Sequence, residues 1–83
     1  MLRRVVFSDE ARAEVRTIDR TTALRLLKAL TRFLETDSGD VKQLEGYEPP
    51  MYRLRIGDWR LLFRRRGDAV QVVRVRNRSE AYR

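Results

Sequence analysis

From Tyr52 to Arg66 the chain reads YRLRIGDWRLLFRRR, with arginines set at alternate positions between large apolar side chains. Residues two apart on a strand share a face. Each guanidinium offers planar, paired donors to a phosphate and stays charged in any protein environment. Arg53, Arg55, Arg60 and Arg64, gathered on one surface, are the groups a sugar-phosphate chain needs.

Whether they gather depends on the turn. Gly57-Asp58 is a two-residue link with glycine first, which suits a type II′ hairpin. Ile56 then faces Trp59, Arg55 faces Arg60, Leu54 faces Leu61 and Arg53 faces Leu62. One face carries Tyr52, Leu54, Ile56, Trp59, Leu61 and Phe63, fit to pack against helices. The other carries Arg53, Arg55, Arg60, Leu62 and Arg64. Like charges directly opposite one another cost up to about 1 kcal/mol per pair. A merely solvated face would mix signs, yet this hairpin holds one acid, Asp58, in its turn. An anion is the expected counter-charge.

Upstream, Leu2 to Phe7 has strand composition. Ser8 offers an N-cap, with Asp9 and Glu10 in the first turn and Ala11, Val15 and Ile18 forming a narrow stripe that ends near Asp19. Thr21 or Thr22 is the expected cap of a second helix, striped by Ala23, Leu26, Leu27, Leu30, Phe33 and Leu34. Gly39 is its expected left-handed terminus. Asp40 to Met51, with Gly46 and Pro49-Pro50, is expected to connect. Three strands follow: Tyr52–Ile56, Trp59–Arg65 and roughly Ala69–Arg76. The expected order is β-α-α-β-β-β, an α+β fold with both helices on one face of a small antiparallel sheet. A Gly67-Asp68 turn would set Arg74 against Leu61 on the core face. A bulge or another loop length would repair that, so the last register stays open.

Eighty-three residues are read as one domain, residues 1–83. A chain this short buries only about 60–65% of its unfolded surface, so a partner would help it. There is no cysteine or histidine, hence no disulfide, no thiolate zinc site and no histidine general base. No signal peptide or membrane span is visible, and the expected location is the cytoplasm. The net charge is +7, with seventeen of the nineteen basic residues arginine. High-GC coding explains part of that excess, but not its clustering. Acidic partners, nucleic acid or protein, are expected.

The run from Leu44-Glu-Gly46 through Tyr52-Arg-Leu-Arg-Ile-Gly-Asp-Trp-Arg-Leu-Leu-Phe to Arg76-Asn-Arg-Ser-Glu-Ala-Tyr82 resembles the RelE/ParE superfamily of bacterial toxins. RelE-type members cleave messenger RNA in the ribosomal A site and are held inactive by a cognate antitoxin. By motif, the resemblance assigns catalytic positions to Arg53, Arg55, Arg60, Arg76 and Tyr82. It places a further RNA-binding arginine at Arg78, beside Arg64 from the face argument. The implied reaction is attack of a ribose 2′-hydroxyl on the adjacent phosphate, leaving a 2′,3′-cyclic phosphate and a 5′-hydroxyl. Guanidinium groups suit the charge that builds on the phosphoryl oxygens, and Tyr82 suits base stacking or proton transfer.

Three departures bear on this. RelE enzymes typically carry lysines where Arg53 and Arg55 stand, many relatives have histidine where Asn77 stands, and the hairpin between Arg60 and Arg76 is short. The general base therefore stays open, with Glu45 and Glu48 as loop carboxylates. The alternative is a ParE-like member, which inhibits DNA gyrase without nuclease activity, and a third reading is an RNA-binding module with no chemistry. The implied partners are an antitoxin with an acidic, partly disordered segment, the ribosome A site with its mRNA, and a higher-order toxin–antitoxin complex. No cofactor, metal or membrane is implied.

Overall fold

A short strand, β1 (Arg4–Phe7), delivers the chain to Ser8, whose hydroxyl oxygen accepts from the Ala11 amide at 3.0 Å and starts α1 (Asp9–Arg16). The computed structural model describes residues 4–77. Asp19, rather than Thr21 or Thr22, caps α2 (Arg20–Thr36), accepting from the Thr22 amide at 3.0 Å. A carboxylate at that position also meets the positive end of the helix dipole. The helix closes at Asp37, which takes the left-handed conformation (φ 57°) expected of Gly39. Gly39 has another duty: at φ 151° it lies so close to β3 that a Cβ there would stand 2.9 Å from Leu54 Cδ1.

The expected connecting segment contains a further strand, β2 (Asp40–Leu44), before β3 (Met51–Ile56), β4 (Trp59–Arg66) and β5 (Ala69–Asn77). Sheet order is β1-β5-β4-β3-β2, with β1 parallel to β5 and every other pair antiparallel. The β2 strand is hard to see in sequence because it forms one edge of the sheet. Only Val41 and Leu44 are apolar, and they fall three apart, out of step with the period of two.

Both helices cover one face of the sheet. Leu26, Leu30, Phe33 and Leu34 of α2 and Ala11 of α1 meet Leu54, Leu61, Phe63, Val70, Val72 and Val75 in a single core. Phe63 is fully buried, its ring 5.5 Å from those of both Phe33 and Tyr52. Leu27, expected within the stripe, is instead exposed, as is Leu24. The apolar face of α2 is thus wider than the sheet surface beneath it.

The β3–β4 register is the one the Gly57-Asp58 turn dictates: Ile56↔Trp59, Arg55↔Arg60, Leu54↔Leu61, Arg53↔Leu62 and Tyr52↔Phe63. A bulge settles the register left open. Phe63 pairs with Val72 but Leu62 with Arg74, so Val73 is the extra residue. That single insertion turns Arg74 away from the core and sets Val75 opposite Leu61.

Candidate nucleic-acid interface

The bulge also fixes the position of Arg76. It pairs with Arg60, which pairs with Arg55, which pairs with Asp40, so three guanidinium stems line up across β3, β4 and β5 with a carboxylate at the end. Neighbouring strands lie about 4.8 Å apart, which keeps the three within reach of one phosphodiester. The next row on this face reads Lys42, Arg53, Leu62, Arg74. Beyond it Arg64 stands opposite Gln71, and Arg66 opposite Ala69. Arg53, Arg55, Arg60, Arg64 and Arg76 therefore share the face away from the helices. Arg78 and Tyr82 lie outside the described residues.

The counter-charge is partly intramolecular, and it comes from outside the hairpin. Asp40 lies 3.4 Å from Arg53 Nη2, and that arginine's side chain is only 16% exposed. On the other flank, Glu14 of α1 accepts from Arg74 Nη2 at 2.9 Å and Nε at 3.2 Å, and stands 3.9 Å from Arg76 Nε. Its Oε1 also accepts from the Val75 amide at 2.8 Å. Partial burial of Glu14 works against its charge, but the hydrogen bonds from Arg74 and Val75 and the charges of Arg74 and Arg76 outweigh it. Its carboxyl is held below the ordinary glutamate value.

Among the described residues, Arg55 has no ion-pair partner, being exposed at the centre of the patch. The Nε atoms of Arg53 and Arg64 are buried without a hydrogen-bond acceptor. Two carboxylates do not neutralise eight cations, and the face retains a large positive excess. Glu45 and Glu48 are exposed on the loop between β2 and β3, and neither takes part in a described hydrogen bond or ion pair.

Four contributors escape a reading of the hairpin alone: Asp40 and Lys42, which arrive on the unseen β2, and Glu14 and Arg74, which meet only because of the bulge. The available signal for β2 was the alternation of Asp40, Val41 and Lys42, too short to register. For Glu14, sixty residues from Arg74 in sequence, there was none.

The family model described as "ParE toxin of type II toxin-antitoxin system, parDE" matches residues 5–82. The chain belongs to that family, within the RelE/ParE superfamily of toxins. Its fold is similar to that of three solved structures. In the archaeal RelE–RelB complex from Pyrococcus horikoshii OT3 the match has a TM-score of 0.76 at 20% identity, covering 94% of this chain and 97% of that one. In the RelBE2 toxin–antitoxin complex from Mycobacterium tuberculosis the values are 0.75 and 23%, over 94% and 100%. A mutant of E. coli RelE in the free state matches with 0.66 and 23%, over 98% and 87%. No curated protein matches the sequence.

Proposed function

We propose that this chain is the toxin of a type II pair and acts as a ribosome-dependent mRNA endoribonuclease. The row of Arg55, Arg60 and Arg76 carries the reading: three cations directly opposite one another, at a cost to the sheet, on a face with few acids. In the reaction, the ribose 2′-oxygen attacks phosphorus, the bond to the 5′-oxygen breaks, and the products are a 2′,3′-cyclic phosphate and a 5′-hydroxyl. Arg60 holds the non-bridging oxygens as their charge grows, and Arg55 and Arg53 position the backbone. Arg76 stabilises the departing oxygen, with Tyr82 stacking on a base. One preorganised donor of this kind is worth about 3–4 kcal/mol. The proton of the 2′-hydroxyl goes to a base that no arginine supplies well.

Mapping the 5′ ends of transcripts after induction, with translating ribosomes present and absent, tests this. New ends that require ribosomes support it, and no new ends overturn it. A second reading, inhibition of DNA gyrase, is favoured by the parDE description of the matching family. Pulse labelling after induction separates the two: a nuclease of the A site stops protein synthesis first, a gyrase inhibitor stops DNA synthesis first.

The partner is a cognate antitoxin with an acidic, partly disordered segment, and the site of action is the cytoplasm. The net charge of +7 and the exposed Leu24 and Leu27 on α2 support such a partner, as do the RelB-bound forms of the similar structures. Co-expression with the neighbouring reading frame tests it, since unchanged toxicity and no co-purification count against it. Among the described residues no helix is long and apolar enough to cross a membrane.

A further inference from the structure

Strand β4 carries its outward arginines past the proposed cleavage row. Arg60, Leu62, Arg64 and Arg66 follow one another on the same face, spaced about 6.6 Å apart. At the far end Arg64, Arg66, Gly67, Gln71 and Pro49 enclose an open groove of about 580 Å³, together with the stem of Arg65. We propose that this groove is a second phosphate subsite for single-stranded RNA, gripping the backbone a few nucleotides from the linkage held at Arg60. The position of the cleaved linkage rests on the nuclease reading; the groove itself does not.

Three features of the groove point to a nucleic-acid backbone. Among the described residues Arg64 has no carboxylate within 4 Å, whereas Arg53, Arg74 and Arg76 on the same face each have one. The acid of the adjoining turn, Asp68, is directed to Arg4 at 3.7 Å, on the β1 side. Arg65 faces the helix side of the sheet, its guanidinium 5.4 Å from the Phe33 ring and 5.5 Å from that of Tyr52. That anchor holds the alternation, so Arg64 and Arg66 both stay outward.

The neighbours add selectivity. Gln71, directly across from Arg64, brings an amide donor and acceptor that suit a base edge or a ribose hydroxyl. Ala69, across from Arg66, is small and leaves room beside that guanidinium. Leu62 separates the two cationic positions with an apolar surface. Charge, gap, charge along one strand is the pattern of an extended polyanion with a repeating backbone. From Arg60 to Arg64 is about 13 Å, the reach of a short oligonucleotide and not of a single nucleotide.

Fluorescence anisotropy of the full chain with labelled 2′-O-methyl oligouridylates of about two and about eight nucleotides tests the proposal. The methylated 2′-oxygen prevents cleavage, so binding is read whether or not the chain is a nuclease. The longer probe should bind more tightly than the shorter. In Arg64→Gln/Arg66→Gln that length advantage should fall about tenfold or more, and the salt slope of the longer probe by about two. Arg66→Gln alone, at an exposed position, should lose about one unit of slope and serves if the double variant does not fold. Arg12→Gln/Arg16→Gln removes the same charge from the exposed face of α1 and should keep the length advantage. The proposal is overturned if the natural chain shows no length advantage, if the groove variants retain it, or if the α1 variant loses it equally. Displacement of the longer probe by polyglutamate more readily than by unlabelled RNA would also overturn it. Length-dependent binding without ribosome-dependent cleavage would remove the nuclease reading and leave the groove standing.

Discussion

Glu14 and Arg74 meet across sixty residues of sequence, carboxylate to guanidinium at 2.9 Å, on a stretch of β5 that has passed the end of β1 and has no strand beyond it. A strand edge in this position carries unpaired amides and carbonyls. Helix α1 and its cap satisfy them: the Ser8 hydroxyl donates to the Val73 carbonyl at 2.7 Å, and Glu14 accepts from the Val75 amide at 2.8 Å. The same carboxylate turns Arg74 and Arg76 to their places on the arginine face. Ser8 and Glu14 together thus close the sheet edge at the bulge, and Glu14 also orients part of the candidate site.

Removing that acid should therefore cost both fold and function. Glu14→Ala strips the acceptor from Val75 and the partner from Arg74, and should destabilise by about 1.5–3 kcal/mol. The lower half of that range is expected because the Arg74 side chain is 39% exposed. Glu14→Gln keeps an acceptor for Val75 and should lose roughly half as much, by urea or thermal unfolding. The sign of the pH dependence is fixed by the lowered carboxyl. A depressed folded-state value contributes stability that is complete above the ordinary glutamate range and disappears as pH falls through the folded value. The natural chain should lose this contribution on acidification, and Glu14→Gln should lack that part of the slope.

Gly39 combines a strained backbone position with a close contact. Its φ of 151° and a Cβ position 2.9 Å from the buried Leu54 predict that Gly39→Ala destabilises by about 1–3 kcal/mol. Gly46, at φ 86° with nothing within 4 Å of its would-be Cβ, carries a backbone cost with no contact beside it. Gly46→Ala should cost less, and a Gly39→Ala loss below about 1 kcal/mol would mean that the contact with Leu54 relaxes freely.

The hairpin was legible because two local rules agree there: a glycine-first turn fixes the register, and the period of two assigns the faces. Arg53, Arg55, Arg60 and Arg64 were placed correctly on that basis. What failed to register was either edge structure or long-range structure. Strand β2 is covered on one side only, so its apolar pattern is thin, and Asp40 and Lys42 were missed with it. Leu27 follows the helical period faithfully but overhangs the sheet, which periodicity cannot reveal. Glu14 carries no local signal at all, because its partner Arg74, sixty residues away, reaches it only through the bulge at Val73.

Arg55 stands between Arg60 on β4 and Asp40 on β2. Among the described residues it makes no ion pair to a carboxylate oxygen within 4 Å, and Asp40 is already held by Arg53 at 3.4 Å. The repulsion from Arg60 is therefore the larger effect on its charge. Arg55→Thr places a β-branched residue on the strand and removes the like-charge pair. It should raise stability by about 0.2–1 kcal/mol. Transcript cleavage and binding of single-stranded RNA should fall together. A variant that is both more stable and fully active would mean that the arginine pair is surface decoration and that the row is not a site.

On the nuclease reading, Lys42 bears on the proton transfer that arginine performs poorly. It stands opposite Arg53 on β2, exposed, the only lysine described on this face. An ammonium yields a proton more readily than a guanidinium, which makes Lys42 the candidate to accept the proton of the 2′-hydroxyl or to return one to the 5′-oxygen. Lys42→Arg keeps the charge and removes that capacity, whereas Lys42→Met removes both. If Lys42 moves a proton, both variants lose cleavage by about 10²–10⁴-fold, and Lys42→Arg retains RNA binding while one limb of the pH–rate profile changes. That limb is the rising one for a base and the falling alkaline one for an acid. If it only attracts phosphate, Lys42→Arg cleaves normally, Lys42→Met weakens binding with a salt slope lower by about one, and the profile does not move. The pair of substitutions thus separates proton transfer from charge at one position, with the pH profile deciding between them.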